Sequence, residues 1–289
     1  MIKLFDKLYL NIGAMKAGTT WLYRQLEQHP DIVFSKEKEL HYLSYRDGNE
    51  PCLSPNYKAK RRNNAFTRFN GDKASSDYKQ LLLWYDSYME TNMDDNWYRS
   101  RFPQPLATQH YCADFSNLTC LVSESTWDAI WAMAEQVKVS YILRNPYDRI
   151  WSHFKFHHQM QQAKVNPETL TESDFRAFDK RNQTLLHSCY SQHIDRMRQH
   201  LSSEDFKLIA YDDINLRPDV LLNKLESFLG LSHHRYLPGK VKRQINASEN
   251  LSTPACLYKT FSAAINKELE ALAGLGFEIP KTWLEPQAR

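Results

Sequence analysis

Gly13-Ala14-Met15-Lys16-Ala17-Gly18-Thr19-Thr20 stands between an apolar run at residues 8–12 and a helix-like run at residues 21–28. A strand, a glycine-bearing turn and a helix in that order make an anion cradle, because amide donors and the helix dipole converge at the helix N-terminus. The nucleotide-hydrolysing form of such a loop reads G-x-x-x-x-G-K-[ST], with lysine directly after the second glycine. Here that position is Thr19, and the lysine lies inside the loop at position 16. The loop is expected to hold a phosphate group without the arrangement that grips a magnesium-bound triphosphate.

Outward from the loop, residues 8–12, 32–34, 112–115, 137–143 and 206–211 read as short buried strands, each a compact apolar run. Helical stretches alternate with them. The first, through Leu22 and Leu26, stops at His29-Pro30. Another has Asn145 as N-cap and Pro146 at its first position, with Ile150, Trp151 and Phe154 facing inward. Leu186, Tyr190, Ile194 or Met197, and Leu201 follow at helical spacing after a polar connection at 159–182. Pro218 opens and Gly230 closes a further helix, and a last one lies within 254–275. This alternation predicts an α/β fold with a central parallel sheet covered by helices and ligands at the strands' C-terminal ends. Residues 48–73 are rich in Asn, Pro and basic side chains without periodicity. They predict an exposed insertion, about residues 48–75, in one domain spanning 1–289.

Three motifs carry a family resemblance. G-x-x-K-x-G-T-T-x-L, here Gly13 to Leu22, resembles the 5′-phosphosulfate loop of sulfotransferases that use 3′-phosphoadenosine 5′-phosphosulfate (PAPS). The stretch Val139-Ser140-Tyr141-Ile142-Leu143-Arg144-Asn145-Pro146-Tyr147-Asp148-Arg149-Ile150-Trp151-Ser152 is similar to the strand, R-[ND]-P turn and helix that bind the 3′-phosphate in that family. Lys38-Glu39-Leu40-His41-Tyr42 resembles the K-E-x-x-[FY] segment of Golgi-type carbohydrate sulfotransferases, including the heparan sulfate enzymes, and of their bacterial relatives.

The resemblance implies a three-layer, P-loop-like sulfotransferase fold. It also implies in-line transfer of a sulfuryl group from PAPS to a hydroxyl or amine of a carbohydrate or glycolipid, leaving adenosine 3′,5′-bisphosphate and requiring no metal. Lys16 is then the cation that stabilises charge on the departing phosphate, since charge that builds only in the transition state is where a fixed cation helps most. Ala17, Gly18, Thr19, Thr20 and Trp21 line the 5′-phosphate side, and Arg144 with Ser152 holds the 3′-phosphate. Within the basic run at 240–246, Lys242 or Arg243 reaches the donor. By the same resemblance Glu39 is the general base, with His41 its rival or orienting partner. One departure stands out: where the heparan sulfate enzymes have a lysine in a segment like E-K-S-P, this chain has Asp114-Phe115-Ser116. That lysine's contact is absent, and Asp114 either faces the acceptor or caps a strand.

Composition narrows the alternatives. A net charge of +3 in 289 residues does not by itself imply nucleic acid, although it suits an anionic ligand. Five cysteines with no C-x-x-C pair suggest neither a disulfide framework nor a zinc site, and fit a reducing compartment. No apolar stretch reaches membrane-spanning length and the N-terminus lacks a signal-peptide core, so a cytoplasmic protein of prokaryotic or viral type is expected unless an anchor precedes it. The sequons at Asn117, Asn182, Asn246 and Asn250 are then chance matches. His153, His157 and His158 share a helix face but lack a third ligand. The basic run at 58–62 is read as solvated, and Trp84, Tyr85, Tyr88, Trp97 and Tyr98 as either a sugar-stacking surface or core. A P-loop small-molecule kinase and a non-catalytic nucleotide- or glycan-binding module remain the other functional classes. Acceptor identity and oligomeric state are beyond the sequence.

Overall fold

The computed structural model describes residues 3–103, 110–241 and 251–284. Five strands form one sheet: β1 (Phe5–Asn11), β2 (Ile32–Phe34), β3 (Tyr111–Asp114), β4 (Ala134–Leu143) and β5 (Phe206–Ala210). Their order is β2-β3-β1-β4-β5. β1 pairs with β3, β2 with β3 and β4 with β5, all parallel, with Leu8 opposite Cys112 and Ile142 opposite Ile209. Parallel neighbours need long crossovers, and helices supply them. The α/β class and the five strands are as the sequence predicts. The chain divides into two compact units, residues 1–10 with 30–138, and residues 11–29 with 139–289.

The first unit carries α2 (Tyr42–Arg46), a 3-10 turn (Glu50–Leu53), α3 (Pro55–Arg68), α4 (Ser76–Tyr88), α5 (Asp95–Arg99) and α6 (Glu124–Met133). The expected irregular insertion is therefore helical. Ser54 caps α3 by accepting from the Tyr57 amide with Pro55 at the first position, and Ser75 caps α4 by accepting from Tyr78. Much of α3 is exposed, and it is held to the unit by the polar contacts of Lys58 and Arg61 together with the Phe66 ring against Tyr78 and Tyr85, too few apolar positions to set a rhythm. The run at 58–62 is not simply solvated. Lys58 is 2% exposed, donating to the Glu90 carbonyl at 2.6 Å and to Met93 Sδ at 3.4 Å. The aromatic cluster is internal packing. Tyr85, Tyr88, Trp97 and Tyr98 are buried, Trp84 stacks on Tyr88 at 5.1 Å, and Tyr42 stacks on Tyr98 at 4.6 Å.

The second unit carries α1 (Thr19–Leu26), α7 (Pro146–Met160), α8 (Glu172–Asn182), α9 (Tyr190–Arg198), α10 (Tyr211–Leu216), α11 (Pro218–Leu229), α12 (Pro238–Val241), α13 (Ala255–Gly274) and α14 (Lys281–Leu284). Asn145 accepts from the Tyr147 amide with Pro146 at the first turn, and Gly230 closes α11 at φ 65°, both at the expected positions. Ile150, Trp151 and Phe154 of α7 pack with Phe175 and Phe178 of α8 and with Leu257, Phe261 and Ile265 of α13. Helix α8 lies in the stretch expected to be a polar connection. A capping box between Thr171 and Asp174 starts it, and two phenylalanines suffice to dock it. The helix expected around Leu186 begins only at Tyr190, because Leu186 lies in a 3-10 turn, Leu186–Ser188. Among the described residues no helix is long and apolar enough to cross a membrane.

Candidate active site

In the second unit the loop after β1 continues the sheet before it turns. Ile12 donates to Ser140 O at 3.1 Å, Ala14 to Ile142 O at 2.9 Å, and Ile142 back to Gly13 O at 2.9 Å. Strand order reverses beside β1, so the loops following β1 and β4 flank a topological switch point, where ligands of open α/β sheets bind. Lys16 at φ 66° and Gly18 at φ 86° both adopt the left-handed conformation. At Gly18 the requirement is steric as well. A Cβ there would lie 2.7 Å from Ile214 Cδ1 and 3.0 Å from the Tyr211 ring. α10 thus packs directly against the backbone that opens α1.

Arg144 leaves the end of β4 and returns to the same loop. Its NH1 donates to the Lys16 carbonyl at 2.9 Å, and its guanidinium lies 4.5 Å from the Tyr211 ring centroid. Its Nε is buried and has no hydrogen-bond partner among the described residues. A charged donor held in this way fits an anion, since a buried unsatisfied donor costs roughly 1–3 kcal/mol. The Tyr190 hydroxyl fixes the Arg144 carbonyl at 2.8 Å, and Ser152 is buried on α7. The Lys16 ammonium lies 4.0 Å from the Phe156 ring centroid.

The remaining expected donor residues divide. Thr19 and Thr20 are the first residues of α1. Ala17 spends its amide on Ala14 O at 3.1 Å, within the loop. Trp21 is buried and gives its indole N–H to Val241 O at 3.0 Å, so it anchors α12 to α1. Gln25 reinforces that anchor through Lys240 O at 3.2 Å. Lys242 and Arg243 lie outside the described residues.

Two residues of this unit had no role from sequence. Arg149, fully buried, donates to Met15 O at 3.5 Å, Ser188 Oγ at 2.7 Å and the Thr184 carbonyl, bracing the loop from behind. Tyr211 supports both Gly18 and Arg144. Arginine in R-N-P-x-x-R was visible as a pattern, but only its tertiary partners reveal its work.

In the first unit, Glu39 follows β2 in an irregular stretch. Its Oε1 accepts from Lys38 Nζ at 3.1 Å and Asn117 Nδ2 at 3.0 Å, while its Oε2 lies 3.6 Å from both His41 Nε2 and Arg61 NH2. Burial opposes ionisation of Glu39, but Lys38, the His41 contact and Arg61 outweigh it and hold the carboxyl well below the usual carboxylate range. The Glu39 side chain is 25% exposed, against 6% for His41, whose Nδ1 is buried without a partner among the described residues. The nitrogen of His41 that does not face Glu39 is therefore closed to an incoming group. Asp114 ends β3 and is buried. It accepts from Tyr98 OH at 2.9 Å and Ser116 Oγ at 2.6 Å, and Ser116 Oγ accepts the His41 amide at 2.9 Å. Burial raises the Asp114 pKa, against the lowering effect of those bonds.

The three histidines of α7 are separately engaged: His153 Nδ1 with Thr184 Oγ1 at 3.0 Å, His158 Nδ1 with Phe154 O at 2.9 Å, and His157 Nε2 with Gln161 at 2.9 Å. No group of three metal-ligating side chains occurs among the described residues. None of the five cysteines is in a disulfide.

Sequence and fold comparisons place the chain in a family. Residues 9–263 match the family described as Sulfotransferase domain. The chain belongs to the sulfotransferase family. It is 23% identical over 240 residues to a bifunctional heparan sulfate N-deacetylase/N-sulfotransferase 1 of Xenopus laevis, covering 79% of this chain. It is 27% identical over 163 residues to the Caenorhabditis briggsae protein of that name, covering 50%. The chain spans about a fifth of the length of these relatives, 22% and 18% respectively. Among solved structures, a sulfotransferase from Alicyclobacillus acidocaldarius superposes with a TM-score of 0.64 at 20% identity, over 96% of this chain and 99% of the other. The sulfotransferase domain of the curacin biosynthetic pathway gives 0.56 at 15% identity, over 96% and 100%. These likenesses are of fold.

Proposed function

We propose that this sulfotransferase uses PAPS as donor, without a divalent metal, and sulfates a hydroxyl or amine of a carbohydrate or glycolipid in a reducing, cytoplasmic setting. The observation that carries the donor assignment is the assembly at the switch point. The Arg144 guanidinium is tied to the Lys16 carbonyl, seated on Tyr211, and keeps a buried Nε in reserve. When bound, PAPS supplies an activated sulfuryl group whose departure leaves charge on the 5′-phosphate. Lys16 is the residue for that charge, with the amides of Gly18, Thr19 and Thr20 at the helix N-terminus. Arg144 and Ser152 take the 3′-phosphate, and Lys242 or Arg243 adds a cation for the donor. Glu39 accepts the acceptor's proton and His41 orients it, a division supported by the greater exposure of the carboxylate. The carbohydrate class draws on the likeness to the heparan sulfate relatives and on the Lys38 to Tyr42 motif.

A kinase reading finds less support, because the acid at the end of β3, Asp114, is turned onto Tyr98 and Ser116. The test is transfer from labelled PAPS, with chelator present, to a panel led by de-N-sulfated heparin and by oligosaccharides with unmodified hydroxyls. Label should appear in an acceptor, and Lys16→Ala should lower kcat by about 10²–10³-fold at similar donor KM. ATP with magnesium protecting the protein from unfolding while PAPS does not would refute the donor assignment.

A further inference from the structure

We propose that Arg61 of α3 is the positioning residue for the Glu39 carboxylate, anchored on Glu37 through NH1 at 2.6 Å and presenting NH2 to Glu39 Oε2 at 3.6 Å. The inference rests on the reading of Glu39 as the group that takes the acceptor's proton. An arginine suits the task because its planar fork can bind one carboxylate while facing another. Here the fork is held from two sides. NH2 also donates to the hydroxyl of Tyr57, one turn earlier on α3, and Glu37 accepts from the hydroxyl of Tyr85 on α4. Side chains of Arg61 and Glu37 are only 20% and 12% exposed, so this is a partly desolvated network rather than a surface pair.

The arrangement settles which face of Glu39 is committed. Lys38 and Asn117 occupy Oε1, whereas Oε2 meets, among the described residues, the longer contacts from Arg61 and His41. Oε2 is therefore the oxygen with lone-pair capacity left for an incoming hydroxyl or ammonium group, and Arg61 fixes where it points. The charged and titratable groups around the carboxylate are Lys38 and His41 from its own segment, Arg61 and Tyr57 from α3, and Glu37 behind Arg61. Removing Arg61 takes away one cation and the mechanical hold together. Arg61→Lys keeps the cation and loses the fork.

The test reads Glu39 directly. Its carboxyl titration is followed by carbon-13 NMR in the wild type, Arg61→Met and Arg61→Lys, with Glu39→Gln used to assign the resonance. Arg61→Met should raise the Glu39 pKa, and Arg61→Lys should restore most of that shift. Affinity for adenosine 3′,5′-bisphosphate should be unchanged in both. In transfer to the acceptor probes above, both variants should lose kcat by about 10–10²-fold, because a displaced reacting group costs rate rather than donor binding. In Arg61→Met the acid limb of kcat/KM should also move up in pH. A purely structural Arg61 would lower the melting temperature and leave the carboxyl titration where it was. A Glu39 pKa unmoved by Arg61→Met in protein that remains folded overturns the proposal. Glu39→Gln with wild-type transfer would instead remove the base role while leaving the Arg61 result intact, so the two failures are distinguishable.

Discussion

Replacing Gly18 by alanine tests the donor loop at its tightest point, and the cost can be worked from the surroundings. At φ 86° an L-residue carries the left-handed penalty of about 1–2 kcal/mol. The added methyl must also displace Ile214 Cδ1 at 2.7 Å and the Tyr211 ring at 3.0 Å, both in a packed region, for about 1–3 kcal/mol more. The sum, roughly 2–5 kcal/mol, corresponds to a fall of roughly 5–15 °C in melting temperature for a unit of this size. Gly230→Ala supplies the control. Its φ is 65° with nothing within 4 Å of a built Cβ, so it isolates the backbone term alone. Ile214→Val in the Gly18→Ala background removes the nearest clashing atom and should recover part of the difference. Because Tyr211 also carries Arg144, Gly18→Ala should weaken adenosine 3′,5′-bisphosphate binding by calorimetry, whereas Gly230→Ala should not. Equal melting temperatures and equal affinities for the two alanine variants would refute the close approach of α10 to the loop.

Arg144→Ala should weaken adenosine 3′,5′-bisphosphate by about 10–100-fold, through charge-assisted bonds of roughly 1.5–3 kcal/mol, and should abolish its preference over adenosine 5′-monophosphate. A preference that survives would move the 3′-phosphate elsewhere. Acid should destabilise the second unit through histidines buried in neutral form. Burial, with Arg149 nearby, pulls His153 down to about 3, and burial, with Arg196 and Arg149 nearby, pulls His193 down to about 4, from an ordinary 6.5. The unfolded chain therefore binds more protons than the native one below pH 6.5, and stability falls as pH falls toward those native values, by about 2 kcal/mol per histidine at pH 5. Urea midpoints at pH 7.5 and pH 5 check this, and a pH-independent midpoint would count against it.

Where the sequence was legible, the signals were local and redundant. Asn145 with Pro146, and Pro218 with Gly230, marked helix ends to the residue because a cap and a turn residue act on their own backbone. The loop at 13–20 was legible for the same reason, as Gly18 declares a left-handed turn before a helix. Helix α3 was missed because Lys58, Arg61 and the Phe66 ring, rather than an apolar stripe, tie it down. Helix α8 was missed because two phenylalanines are too few to show a period, yet enough to dock. Arg149 and Tyr211 escaped because their worth lies in partners far along the chain. The setting of Glu39 escaped likewise. The motif named the carboxylate and, in Lys38 and His41, the groups that do most to keep it ionised, but Arg61 and Asn117, which also touch it, come from elsewhere.

The stapling of the donor loop to distant parts of the chain bears on how the protein is made. Asn11 meets Ser140 across 129 positions, Lys16 meets Arg144 across 128, and Trp21 meets Val241 across 220. On a ribosome adding roughly 5–20 residues per second, the loop emerges roughly 6–45 seconds before these partners exist. For that interval Trp21 lacks its Val241 acceptor and the loop lacks β4, although β1 can pair with β3 somewhat sooner. The loop is therefore stapled only after the α4 and α5 aromatics have been synthesised.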